Sequence, residues 1–61
     1  MKVVSILNRQ GKTYRVLQNA VGLYFAQKKF GLMDWQFYKD WYGNKIFVSI
    51  WQAEKYIDNN K

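Results

Sequence analysis

The sequence contains no cysteine, no proline and no histidine. Without cysteine no disulfide can form. Without cysteine or histidine a zinc site loses its usual ligands. Histidine is also the commonest general base near neutral pH, so its absence removes a main route to catalysis. Acidic residues are scarce: four Asp and Glu stand against ten Lys and Arg, a net charge of +6. Long hydrophobic runs are missing too. The longest uncharged apolar run, Ala20 to Ala26, falls far short of the roughly 20 residues a membrane-crossing helix needs. Met1-Lys2 leads into a short alternating segment and not into the apolar stretch of a signal peptide. A cytoplasmic location is the expectation, and the lack of cysteine agrees with it.

What the chain has in excess is aromatic: three Trp, five Tyr and four Phe in 61 residues. The length predicts a single small domain, 1–61. Such a chain buries only about 60% of its unfolded surface, which makes stability marginal. Disulfides and metals are the usual staples at this size. Here the aromatics take that part, since each buries roughly 150–250 Å². A homodimer is the other route.

The β-branched stretch Lys2 to Asn8 reads as a strand. Arg9-Gln10-Gly11-Lys12 reads as a hairpin turn in which Gly11 supplies a positive φ, and Lys12 to Leu17 resumes the strand. Asn19 to Gly22 is a second break. Leu23 to Phe30 and Trp35 to Asp40 read as further strands, joined by Gly31 to Asp34. In the second of these, Trp35 and Phe37 share one face, Gln36 and Tyr38 the other. Trp41-Tyr42-Gly43-Asn44 is a turn, and Lys45 to Val48 a last short strand. At Ser49 the period changes. Ser49 with Gln52 matches a capping box, and Ile50, Ala53 and Ile57 form one helical stripe with Tyr56 beside it. A helix from Ile50 to about Asn59 follows. Glu54 early in it and Lys61 beyond its end suit the helix dipole; Asp58 does not. The expected fold class is α+β: an antiparallel sheet of four or five short strands with one C-terminal helix packed on one face.

The chemistry-bearing inventory is thin. Ser5, Thr13 and Ser49 are the hydroxyl candidates of interest, and Ser49 is already a helix cap. Asp34 and Asp40 sit beside turns, and Glu54 and Asp58 lie i,i+4 on the helix. Gly11, Gly22, Gly31 and Gly43 are isolated at breaks, so no phosphate-cradling loop exists. No catalytic residue, metal ligand, cofactor or small-molecule substrate is expected, and the chain reads as a non-enzymatic binding protein.

Basic residues gather in three places: Arg9, Lys12 and Arg15 at the first hairpin, Lys28 and Lys29 at the end of the third strand, Lys39 and Lys45 about the last turn. Alternation puts Lys28 and Lys29 on opposite faces, so only one joins a given surface. If Tyr14 and Val16 face the core, Thr13 and Arg15 face out. Arginine suits bidentate contact with phosphate or guanine. These residues are either a contact surface or ordinary solubilising charge. Among the aromatics, Tyr14, Phe25, Phe37, Phe47 and Tyr56 are the expected core. Trp41 and Tyr42 in the turn and Trp51 off the helix stripe either form a contact patch or fold over the core rim.

The segment Tyr38-Lys39-Asp40-Trp41-Tyr42-Gly43-Asn44-Lys45-Ile46-Phe47-Val48-Ser49, followed by Gln52-Ala53-Glu54-Lys55-Tyr56-Ile57, resembles small phage and mobile-element domains. It is similar to the end of arm-type DNA-binding domains of phage integrases, which are like the plant AP2 domain. The resemblance covers about the last third of the chain. It implies a sheet lying in the DNA major groove and braced by the helix, with Arg15, Lys28 and Lys39 as sheet-face contacts. The bulky Trp35, Tyr38 and Trp41 depart from that family's basic strands. With the chain ending after the helix, it implies a free-standing, phage-encoded accessory protein.

The leading expectation is nucleic-acid binding through a positively charged sheet face, using Arg9, Lys12, Arg15, Lys28 and Lys39. About four phosphate contacts on duplex DNA give a log–log salt slope near −3.6. The alternative is a protein-binding modulator of a host or phage protein, anchored by Trp41, Tyr42 and Trp51 and by a sheet edge. Self-association through spare strand edges is a third reading. Membrane-surface binding ranks below these, because the helix carries Glu54 and Asp58 on its polar side.

Overall fold

The computed structural model describes residues 1–60. The strands are β1 (Lys2–Arg9), β2 (Lys12–Gln18), β3 (Tyr24–Lys29), β4 (Gln36–Phe37), β5 (Lys39–Asp40) and β6 (Gly43–Asn44), followed by helix α1 (Ile50–Asn59). β1 to β4 form one antiparallel sheet in sequence order, and β5 and β6 form a separate two-stranded ribbon. The fold class is α+β, as expected.

The β1–β2 hairpin turns through Gln10 at φ 54° and Gly11 at φ 78°. Both central residues are left-handed, which matches the twist of the flanking strands. Gly11 carries the positive φ expected of it, and Gln10 carries one as well. At the next turn Asn19 does the organising. Its Oδ1 accepts from the amides of Val21 at 3.2 Å and Leu23 at 2.9 Å.

The chain after β3 departs from the expected single strand over Trp35 to Asp40. Gln36 and Phe37 pair with Lys28 and Gln27 along the edge of β3. The Tyr38 amide still donates to the Ala26 carbonyl at 3.0 Å. The chain then leaves this edge for the β5–β6 ribbon, whose turn is Trp41-Tyr42, with Gly43-Asn44 already in the returning strand. It comes back at Phe47, which exchanges both backbone hydrogen bonds with Tyr24 at 2.9 Å. One edge of β3 is therefore completed by two separate pieces of chain. The expected last strand, Lys45 to Val48, reduces to this single bridge.

Ser49 caps α1. Its Oγ accepts from the Gln52 amide at 3.1 Å. The Gln52 side chain reaches back past the cap to the Val48 amide at 3.4 Å, so the expected reciprocal bond is displaced by one residue. The helix has no acidic residue in its first turn and no basic one in its last. The dipole therefore has no complement from Glu54, which instead accepts from Ser5 Oγ at 2.6 Å. Lys61 lies outside the described residues. Asp58, unfavourable at this end of a helix, is held by Arg9 of β1 in a 3.0 Å ion pair.

The core lies between the sheet and α1. Leu7, Tyr14, Val16, Ala26, Tyr38, Phe47, Ala53 and Ile57 are buried together. Small side chains at Ala26 and Ala53 let the helix approach the sheet closely. Phe25 is buried and Phe37 half-buried, but strand alternation places both on the opposite face, outside this cluster. Tyr56 is half-buried at the core margin. The aromatic core is thus made of other residues than expected: Tyr38 joins Tyr14 and Phe47, Tyr24, Phe30 and Tyr56 pack against them, and Phe25 and Phe37 serve the other side of the sheet.

Candidate functional site

Directly paired residues share a face, so the register divides the sheet into two sides. On β2, Tyr14 and Val16 point to the helix, and Thr13, Arg15 and Leu17 point away. Their partners on β3 follow: Lys28 sits opposite Tyr14, while Lys29, Gln27 and Phe25 sit opposite Thr13, Arg15 and Leu17. On β1, Asn8, Ile6 and Val3 complete the same open side. Phe37 extends it from β4, opposite Gln27. No strand position on this side carries a carboxylate.

Arg15 stands at the centre of the open face. Its Nε donates to Gln27 Oε1 at 2.7 Å. Its guanidinium carbon lies 4.0 Å from the centre of the Trp35 ring, and Lys29 Nζ lies 5.8 Å from the same ring. The residue thus has one nitrogen anchored and its plane supported by an indole. Its terminal nitrogens make no hydrogen bond among the described residues. Gln27 is buried beneath it. Phe25 and Phe37 meet edge to face at 6.3 Å, and with Leu17 they floor the face beside Arg15. Ile6 is 65% exposed, so the surface is open to a partner.

The expected site residues divide among several places. Arg15 lies on this face. Arg9 lies on the helix side, in the ion pair with Asp58. Lys12 and Lys28 come together over the Phe30 ring, at 4.9 and 5.7 Å. Lys28 also lies 5.0 Å from the Tyr38 ring. Lys39 is exposed on the ribbon, opposite Asn44. Arg15, Lys28 and Lys39 therefore do not share one sheet face. Lys29 and Trp35 take the places beside Arg15. Lys29 has the parity of Phe25 and Gln27, so the expectation that Phe25 faces the core turns it the wrong way. The Trp35 stack, twenty residues away in sequence, was out of reach of alternation.

The aromatic anchors also separate. Trp41 and Tyr42 form the ribbon tip and are 91% and 94% exposed. The Asp40 carboxylate holds that tip by accepting from the Tyr42 amide at 2.8 Å. Neither residue folds back over the core. Trp51 belongs to a different surface, on the flank of the helix.

Burial, with smaller contributions from Tyr14 and Tyr56, pushes the Tyr38 phenol up from 10.0 to about 12. Its hydroxyl and that of Tyr14 are buried without a hydrogen-bond partner among the described residues. Neither hydroxyl is on the open face. No cluster of His, Cys, Asp and Glu able to hold a metal occurs among the described residues. No described helix is long and apolar enough to cross a membrane.

No protein-family model, curated protein or solved structure matches this chain.

Proposed function

We propose that the protein is a non-enzymatic nucleic-acid-binding module and that the open sheet face is its contact surface. The observation that carries the reading is Arg15, stacked on Trp35 at 4.0 Å and tethered to Gln27. A guanidinium fixed in this way loses little freedom when it donates to a phosphate or a base edge. Lys29 adds a second cation, and no acid offsets either on this face. Trp35 and Phe37 supply flat aromatic surface between the charges. This combination suits a single strand, whose bases stack on aromatic rings while its backbone follows the cations. A duplex would use the cations alone.

The test is anisotropy titration of labelled single-stranded DNA, single-stranded RNA and duplex DNA at several salt concentrations. Two phosphate contacts on a single strand predict a log–log slope of about −1.4. R15E weakens binding to every sequence. W35A removes a stacking contribution of about 1–3 kcal/mol, which is roughly 5- to 150-fold in affinity. Absence of binding to all three ligands at low salt refutes the reading. So does an R15E variant that folds and binds like the parent.

A further inference from the structure

The sheet ends, on the β3 side, in an edge that nothing in the described chain covers. Phe47 directs both of its backbone groups at Tyr24. In an antiparallel pairing the neighbouring residues direct theirs the opposite way. Ile46 accordingly makes no backbone hydrogen bond among the described residues, and the Val48 amide has only the long contact to Gln52. The flank of α1 borders this edge. The opposite flank is occupied, because Glu54 and Asp58 are engaged by Ser5 and Arg9 of β1.

Between the helix flank and the open edge runs a groove of about 400 Å³, lined among others by Lys45, Ile46, Trp51, Lys55 and Tyr56. Its apolar residues are exposed: Ile46 by 53%, Trp51 by 66%, and adjacent Val48 by 68%. Its cations ride on rings. Lys45 Nζ lies 5.2 Å from the Tyr56 ring and Lys55 Nζ lies 5.0 Å from the Trp51 ring. No carboxylate lines the groove.

We infer that this groove receives an extended peptide segment of a partner protein, one that alternates apolar and acidic side chains and adds a strand at Ile46. Each feature selects that occupant. Free main-chain groups on an edge pair with another strand. Exposed Ile46 and Trp51 receive apolar side chains. Lys45 and Lys55 receive carboxylates. A lipid surface cannot pair the Ile46 backbone. A second copy of this chain brings +6 charges to a cationic site. The inference is independent of the nucleic-acid reading, since none of Arg15, Gln27, Lys29 and Trp35 lines the groove.

The test uses the full chain, isotope-labelled for NMR, and a terminally blocked heptapeptide alternating glutamate and valine. A lysine–valine heptapeptide and an oligouridylate are the comparisons. The acidic peptide is expected to shift the Ile46, Val48 and Lys55 amides and the Trp51 indole, and to slow hydrogen exchange at Ile46. The K45E/K55E double variant, whose sites are exposed or half-buried and outside the core, loses about tenfold or more in affinity. The lysine peptide leaves the spectrum unchanged. The inference falls if the acidic peptide moves none of these signals or if the double variant binds it equally well. It falls equally if oligouridylate moves the groove signals in place of those of Arg15 and Trp35.

Discussion

Tyr38 offers a quantitative check on the core. Its phenol is pushed up from 10.0 to about 12 because the anion would be buried beside two other tyrosines. In the unfolded chain the same group ionises at its ordinary value. Between those two values the unfolded state binds fewer protons than the folded state, so stability falls as pH rises. One unit corresponds to roughly 1 kcal/mol, so Tyr38 alone should remove about 1 kcal/mol by pH 11 and about 2 kcal/mol by pH 12. Below pH 10 its contribution is fully present. A domain of this size holds only about 3–5 kcal/mol, so the loss is a large fraction of the whole. Urea denaturation from pH 8 to 11.5, on the parent and on Tyr38→Phe, isolates the effect. The substitution keeps the ring, including its T-shaped contact with Tyr56 at 5.5 Å. It also removes a buried hydroxyl without a partner, so at pH 8 the variant should equal or exceed the parent by about 1 kcal/mol. The gap should then widen with pH. Parallel curves would refute the argument, because they mean that Tyr38 ionises as easily inside the fold as outside it.

Two further expectations concern the frame that holds the surfaces. Gln10 sits at φ 54° in the first hairpin, where a side chain is strained; Gln10→Gly should stabilise the domain by about 0.5–1 kcal/mol, read as a higher urea midpoint with an unchanged slope. A fall in the midpoint would mean that the turn does not hold this geometry in solution. Ile57 is fully buried between helix and sheet, so Ile57→Ala should cost about 2–5 kcal/mol and leave the chain largely unfolded at 37 °C by circular dichroism; a folded variant with less than a 1 kcal/mol loss would mean that the helix is not packed as described.

Local signals made much of the fold legible in the sequence. Gly11 marked the first turn, Ser49 marked the helix start, and the Ile50–Ala53–Ile57 stripe marked its buried side. Each depends on residues within a few positions of one another. The β3 edge was different. Residues 36–38 and Phe47 share it, with a ribbon between them, and nothing local says that a chain will leave an edge and return to it. The site was half legible for the same reason. Alternation along β2 puts Arg15 opposite the buried side of Tyr14, and alternation along β3 gives Lys29 the parity of Phe25. What alternation cannot give is register between strands, which decides whether Lys28 or Lys29 stands near Arg15. Pairing of Tyr14 with Lys28 settles it. The exposure of Trp41 and Tyr42 was readable from their place in a turn, whereas the groove beside Trp51 required knowing which flank of the helix β1 engages.

The distribution of charge follows from how the few acids are used. Glu54 and Asp58 bind Ser5 and Arg9, and so tie the helix to β1. Asp40 closes the ribbon turn on the Tyr42 amide. Three of the four carboxylates are therefore engaged in local or tertiary contacts, and Asp34 is the one left without such a hydrogen bond among the described residues. A net charge of +6 spread evenly would make a generally sticky cation. Here three of the four carboxylates draw back to one helix flank and one turn, and among the described residues no ion pair opposes Arg15 and Lys29 on the open face or Lys45 and Lys55 in the groove. At both places the cations lie against aromatic rings, which restrict their motion without neutralising them. The aromatic excess and the basic excess thus act on one another at the surface as much as the aromatics act in the core. That coupling turns a general positive charge into two separate, differently shaped places for an anionic partner.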